Sequence, residues 1–155
     1  MNIKGFIRSL PVIGPLSYKV MPSRGAHEQS FDGSRQYWER RYATGGNSGA
    51  GSYNRLAEFK AEVIADLMER HALVSVIEFG CGDGAQLALA DYPAYIGIDV
   101  SPTILAQIRA RFADRPEYRF ALTGELPADT QADLSLSLDV IYHLLEDDVY
   151  ATYLA

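Results

Sequence analysis

Two carboxylates flank a glycine loop in this chain. Glu78 closes the apolar run Val74-Ser75-Val76-Ile77, glycines follow at 80, 82 and 84, and Asp99 closes a second apolar run, Tyr95-Ile96-Gly97-Ile98. Alternate glycines remove Cβ atoms, which lets backbone amides lie flat against a ligand and lets the chain take positive φ. Ala85 to Ala90 reads as a short helix capped by Asp83, its free amides aimed at the same spot. The spacing from Gly80 to Ala85 also satisfies the dinucleotide fingerprint, but a carboxylate two residues before the first glycine would repel a pyrophosphate. Asp99, at the tip of the adjacent strand, suits both hydroxyls of a ribose. A small ligand with an anionic end would fit the free amides, and the two carboxylates disfavour one that carries phosphate.

Alternating strands and helices must position these groups. Val74, Val76 and Ile77 are β-branched and bounded by a turn, as in a strand buried on both faces of a parallel sheet. From Asn54 to His71, Leu56, Phe59, Val63, Ile64, Leu67 and Met68 recur at three and four, which predicts an amphipathic helix on the sheet with Lys60 among its solvent-facing charges. Ser101 and Pro102 form an N-cap and first turn for a helix whose buried stripe is Ile104, Leu105, Ile108 and Phe112. A third strand is expected around Tyr118 to Leu122 and a fourth over Ala132 to Asp139, followed by a helix. Upstream, residues 34–43 predict a short helix with Ser34 as N-cap and Trp38 and Tyr42 on one face. These aromatics either dock the N-terminal segment or form a lid, since aromatic faces attract soft cations. The glycine-rich stretch from Thr44 to Ser52 predicts a mobile loop of the kind that closes over a site.

The run Glu78-Phe79-Gly80-Cys81-Gly82-Asp83-Gly84 resembles motif I (E/D-x-G-x-G-x-G) of the class I S-adenosylmethionine-dependent methyltransferases. Asp99 matches the acid of motif II, and Ala132 to Asp139 resembles motif IV; the resemblance covers residues about 54–155. It implies an α/β, Rossmann-like three-layer sandwich with a parallel sheet, of which this chain supplies the first four of seven strands. It implies S-adenosyl-L-methionine as cofactor, with Glu78 on the ammonium and Phe79, Gly80, Cys81, Gly82 and Gly84 along the floor. Asp99 and Val100 would take the ribose, Glu125 the adenine amine, and Leu138 and Asp139 the methionine part. Tyr142 and His143 would face the transferred methyl, and an imidazole with a pKa of roughly 6.5 suits proton removal from the acceptor.

The activity expected is methyl transfer to an oxygen or nitrogen acceptor of a small molecule. The alternatives are an NAD(P)-dependent oxidoreductase, disfavoured by Glu78, and a non-catalytic or truncated S-adenosylmethionine-binding protein. The chain divides into an arm over 1–52 and a cofactor-binding domain over 53–155, truncated at its C-terminus. Strand four would then be a bare edge through which copies associate.

Composition bounds the rest. A chain of 155 residues that is 48% hydrophobic and 22% charged suits one soluble domain with a core. The net charge of −6 does not suggest a nucleic-acid-binding surface. Lys4, Arg8, Lys19 and Arg24 sit in an acid-free stretch, but Pro11, Gly14, Pro15 and Pro22 interrupt it before a signal sequence could form. Neither secretion nor stable membrane insertion is expected, and the cytoplasm is. The single Cys81 excludes a disulfide framework and any multi-cysteine zinc site, and His27 and His71 have no metal-ligand neighbours, so no metal is expected.

Overall fold

The computed structural model describes residues 31–154. The basic N-terminal stretch and His27 lie outside the described residues. Four strands form one parallel sheet: β1 (Ser75–Phe79), β2 (Ala94–Asp99), β3 (Tyr118–Leu122) and β4 (Leu134–Ser137), in the order β3-β2-β1-β4. Ile77 pairs with Ile96 on one side and Ser135 on the other, and Asp99 pairs with Leu122. The chain winds from β1 out to β3 and then returns to the far side of β1. The carboxyl ends of β1, β2 and β4 therefore meet at the point where the winding reverses, the place where open α/β sheets bind ligands. Asp133 fixes the register of β4, accepting the Val74 and Ser75 amides at 2.9 Å each. β4 is shorter than the sequence suggests, because Asp133 is spent on β1 and Asp139 leaves the extended region at φ 59°.

The helices are α1 (Ser34–Ala43), α2 (Asn54–His71), α3 (Pro102–Arg111) and α4 (Asp147–Leu154). α3 is as expected: Ser101 Oγ caps the Ile104 amide, and Ile104, Leu105 and Ile108 are buried. α2 has the expected limits but a rotated buried face. Ala57, Ile64 and Met68 point inward, while Leu56, Phe59 and Val63 are solvent-exposed. Two tethers set this rotation. The small Ala57 lets the helix approach Gln86, whose amide donates to the Ala57 carbonyl at 3.0 Å, and Lys60 turns inward to Asp139. α1 starts one residue earlier than expected, with Gly33 as N-cap and Ser34 inside the helix.

The helix expected over Ala85 to Ala90 is a single 3-10 turn at Leu87–Leu89. Turns occupy Gly82 to Gln86 ahead of it, and the chain becomes extended only at Ala90, just before β2. Residues 31–155 cluster as one compact unit, so the described part of the expected arm, α1 and the loop after it, packs onto the domain.

Candidate functional site

Gly80, Gly82 and Gly84 all take positive φ, and the amides of the loop they allow are hydrogen-bonded within the protein. The amides of Gly80 and Cys81 donate to the Ile98 carbonyl, at 2.8 and 3.0 Å, and the Gly84 amide donates to the Cys81 carbonyl. Gly82 donates to Asp99 Oδ2 at 3.0 Å, Asp83 to Ser48 Oγ at 2.9 Å and Ala85 to Asp83 Oδ1 at 3.0 Å. The expectation that these amides stand free for an anionic group is therefore corrected: every N–H from Gly80 to Ala85 already has a protein acceptor.

The loop faces a cleft of about 750 Å³ at the carboxyl ends of β1, β2 and β4, roofed by α1 and closed at one end by α4. Of the residues singled out in the sequence, Phe79, Gly80, Asp99, Val100, Leu138, Asp139 and His143 line it. Asp99 is buried, accepting from Gly82 through Oδ2 and from Ser101 through Oδ1, and burial raises its pKa against the pull of those amides. A carboxylate has about four acceptor sites, so it retains capacity toward the cleft. Asp139 accepts Lys60 Nζ at 2.6 Å, an interaction that holds its pKa below the ordinary value. Burial pushes the His143 imidazole below its ordinary pKa, opposed by Asp139. The ring meets Trp38 edge to face, with centroids 5.0 Å apart.

The other expected residues stand elsewhere. Glu78 is 4% exposed and turns behind the loop to Tyr95, whose hydroxyl donates to Oε2 at 2.6 Å; burial lifts its pKa to about 7. Cys81 packs against Gly97, and burial raises its thiol pKa. Gly82 and Gly84 are covered, the first by Ser48 and the second by Phe112 and Ile108. Glu125 folds back to accept the Leu122 amide at 2.9 Å, and Thr123 lines the cleft in its place. Tyr142 is 65% exposed and off the lining.

Several contributors escaped the sequence reading. Ser48 sits on the glycine loop: its amide donates to Asp83 Oδ2 at 2.9 Å, beside the Tyr53 hydroxyl at 2.5 Å. The stretch expected to be mobile is thus tied down at its middle. Lys60, Glu39 and Glu146 also act across the fold, and no local pattern announces them. Only Ser48 carried a signal, as a hydroxyl within a glycine-rich run ahead of a second glycine loop. Trp38 and Tyr42, the aromatic pair on α1, form part of the roof with centroids 5.6 Å apart.

A parallel α/β sheet with its cleft at the reversal of winding, a glycine loop after the first strand and an acid after the second is the Rossmann-like architecture. Residues 77–153, about half of the chain, match the family described as "Methyltransferase domain", and the sheet has the Rossmann-like fold of the class I methyltransferases. It is 29% identical over 89 residues to EEF1A lysine methyltransferase 4 of Mus musculus, a match covering 55% of this chain and 34% of that protein. It is 38% identical over 69 residues to trans-aconitate 2-methyltransferase of Methylobacterium nodulans, covering 40% of this chain and 27% of the other. The matched stretches thus span about a third of the curated relatives' length. The N-methyltransferase NodS of Bradyrhizobium japonicum, solved with S-adenosyl-L-homocysteine, has the same fold at a TM-score of 0.61 and 23% identity, covering 77% of this chain and 62% of that one.

Proposed function

We propose that this chain binds S-adenosyl-L-methionine in the cleft and transfers its methyl group to an oxygen or nitrogen acceptor. The observation that carries the reading is the saturated glycine loop. A dinucleotide pyrophosphate needs free amides or cations, and here every amide from Gly80 to Ala85 is engaged within the protein. The lining carries Asp32, Asp99, Asp139, Glu146 and Asp148 against Arg35 as its only Lys or Arg among the described residues. That balance suits a phosphate-free cationic nucleoside and opposes both a nicotinamide dinucleotide and a polyanionic acceptor.

When bound, the cofactor supplies an electrophilic methyl on a sulfonium. In this reading Asp99 takes the ribose hydroxyls, Val100 and Thr123 flank the base, and Phe79, Gly80 and Leu138 form the floor. Arg35 supplies a positive charge for a carboxylate. Glu78 stays behind the loop on the Tyr95 hydroxyl and makes no direct contact with the cofactor. Trp38 and Tyr42 exclude water from above and offer aromatic faces to a cation. His143, kept neutral near pH 7 by burial, accepts the acceptor's proton, a role worth about 10²–10⁴ in rate. Holding the acceptor in line supplies more.

The curated relatives' names point to a protein lysine in one case and a small carboxylic acid in the other. The small-molecule acceptor is our reading; among the described residues no helix is long and apolar enough to cross a membrane. Calorimetric titration with S-adenosylhomocysteine, and in parallel with NADH and NADPH, tests the cofactor. The expected outcome is binding of the first alone, lost in Asp99→Ala. Binding of a nicotinamide cofactor instead would overturn the assignment. His143→Ala should lower turnover at saturating cofactor and remove the acidic limb of the pH–rate profile; an unaltered profile would leave the imidazole a packing role.

A further inference from the structure

α1 crosses the cleft as a roof yet buries little of itself: Ser34 and Tyr42 are its buried residues. Polar anchors on either side hold it. At its start, the Ser34 amide donates to Glu146 Oε1 at 2.6 Å, and the Ser34 hydroxyl lies 2.5 Å from Glu146 Oε2. In its middle, the Glu39 carboxylate accepts the Ser101 hydroxyl at 2.5 Å, the Thr103 amide at 3.3 Å and the Thr103 hydroxyl. Glu39 therefore stands at the N-terminus of α3, where an anion meets unpaired amides and the positive end of the helix dipole.

Ser101 connects this anchor to the cleft. Its amide donates to Asp99 Oδ1, and Asp99 Oδ2 in turn takes the Gly82 amide, each at 3.0 Å. A continuous polar path thus runs from the glycine loop through Asp99 and Ser101 to Glu39, the residue next to Trp38.

We infer that Glu39 is a positioning residue of the site: by binding α1 to Ser101 and Thr103 it sets Trp38 and Tyr42 over the cleft in a register fixed by Asp99. The ligand end of this inference rests on the cofactor reading above; the anchoring end does not. Losing Glu39 frees α1 on the β2 side while Ser34 still holds its start, so the roof swings away without detaching.

Trp38 is the only tryptophan in the chain, so its emission reports the roof alone. In the full chain, Glu39→Ala should move that emission to longer wavelength, increase its quenching by acrylamide and weaken S-adenosylhomocysteine binding about tenfold in calorimetry. Glu39→Gln keeps a carbonyl oxygen for the Ser101 hydroxyl and should fall between Glu39→Ala and wild type. Thr103→Val removes one donor and should move both readouts the same way by less; it carries the test if Glu39→Ala fails to fold. Unchanged emission overturns the anchoring, and shifted emission with unchanged affinity overturns its service to the site. A wild-type chain that gives no heat with S-adenosylhomocysteine removes the cofactor reading and the coupling with it, while the ligand-free emission still decides the anchoring.

Discussion

A carboxyl group buried behind a glycine loop makes the protein's stability respond to pH in an unusual direction. Glu78 has the Tyr95 hydroxyl on Oε2, with Lys60 nearby as a favourable charge and Asp99 as an unfavourable one, and burial dominates, raising its pKa from 4.5 to about 7. A carboxyl whose folded pKa lies above its unfolded one stabilises the fold fully below about pH 4.5, and that stabilisation is lost as pH rises through about 7. The shift corresponds to roughly 3 kcal/mol at most. Glu39 and Glu146 work the other way: hydrogen bonds from Ser101 and Thr103, and from Ser34, hold both below the ordinary carboxylate range. Their contribution is present above the unfolded value and fades as pH falls through the folded one. Between pH 5.5 and 8.5 only Glu78 titrates among these three. Melting temperatures of wild type should therefore fall across that interval relative to those of Glu78→Gln, and parallel curves for the two proteins would show that Glu78 stays ionised throughout.

Elements, not single residues, decide which groups reach the cleft, and the loop between α1 and α2 makes the case. Its 3-10 turn at Ala50–Ser52 brings Gly51 so close to the chain after β4 that an added Cβ would lie 2.2 Å from Asp139 Oδ2. Asp139 has little room to yield, being held by Lys60 and already at φ 59°. Gly51→Ala should thus cost about 1–3 kcal/mol, as overpacking does, and weaken S-adenosylhomocysteine by displacing the loop from Asp83. Urea unfolding and calorimetry check the two effects, and Gly49→Ala, though strained by its φ of 94°, has open space around the added methyl and separates crowding from strain. The same element shows what the sequence could and could not reveal. β1, β2 and the cap of α3 were legible because each is a local pattern: an apolar run ending in an acid, or Ser-Pro ahead of a helical stripe; β3, Tyr118–Leu122, has no closing acid and was more weakly patterned. The partners Ser48–Asp83, Ser101–Glu39 and Ser34–Glu146 are 35, 62 and 112 residues apart, and no periodicity reaches that far. The rotation of α2 was hidden for a related reason, since an apolar stripe does not disclose that Ala57 and Lys60 have tethers of their own. Glu78 and Glu125 were visible as acids at strand ends, but backbone direction and a local turn, not residue type, aim them away from the cleft.

For the molecule as a whole, the apolar surface left outside the core governs behaviour in solution. Leu56, Phe59 and Val63 follow one another along α2 at 58%, 58% and 48% exposure, and β3 and β4 are the outer strands of the described sheet. Each surface invites association for its own reason, the stripe through the hydrophobic effect and the strand edge through unpaired backbone groups. Burying a side chain the size of Phe59 is worth about 1.5–3 kcal/mol, enough to change an association constant by tenfold or more. The average mass of the 155-residue chain in sedimentation velocity should accordingly rise with concentration. Phe59→Glu should suppress that rise if the stripe is the contact, because a carboxylate cannot be desolvated there without a partner. Ser137→Lys places a charge on β4 and should suppress it if the strand edge is the contact. A mass that stays monomeric at every concentration would mean that neither surface drives self-association, and that the charged residues Glu58, Glu62 and Asp66 interspersed along α2 keep its apolar stripe solvated.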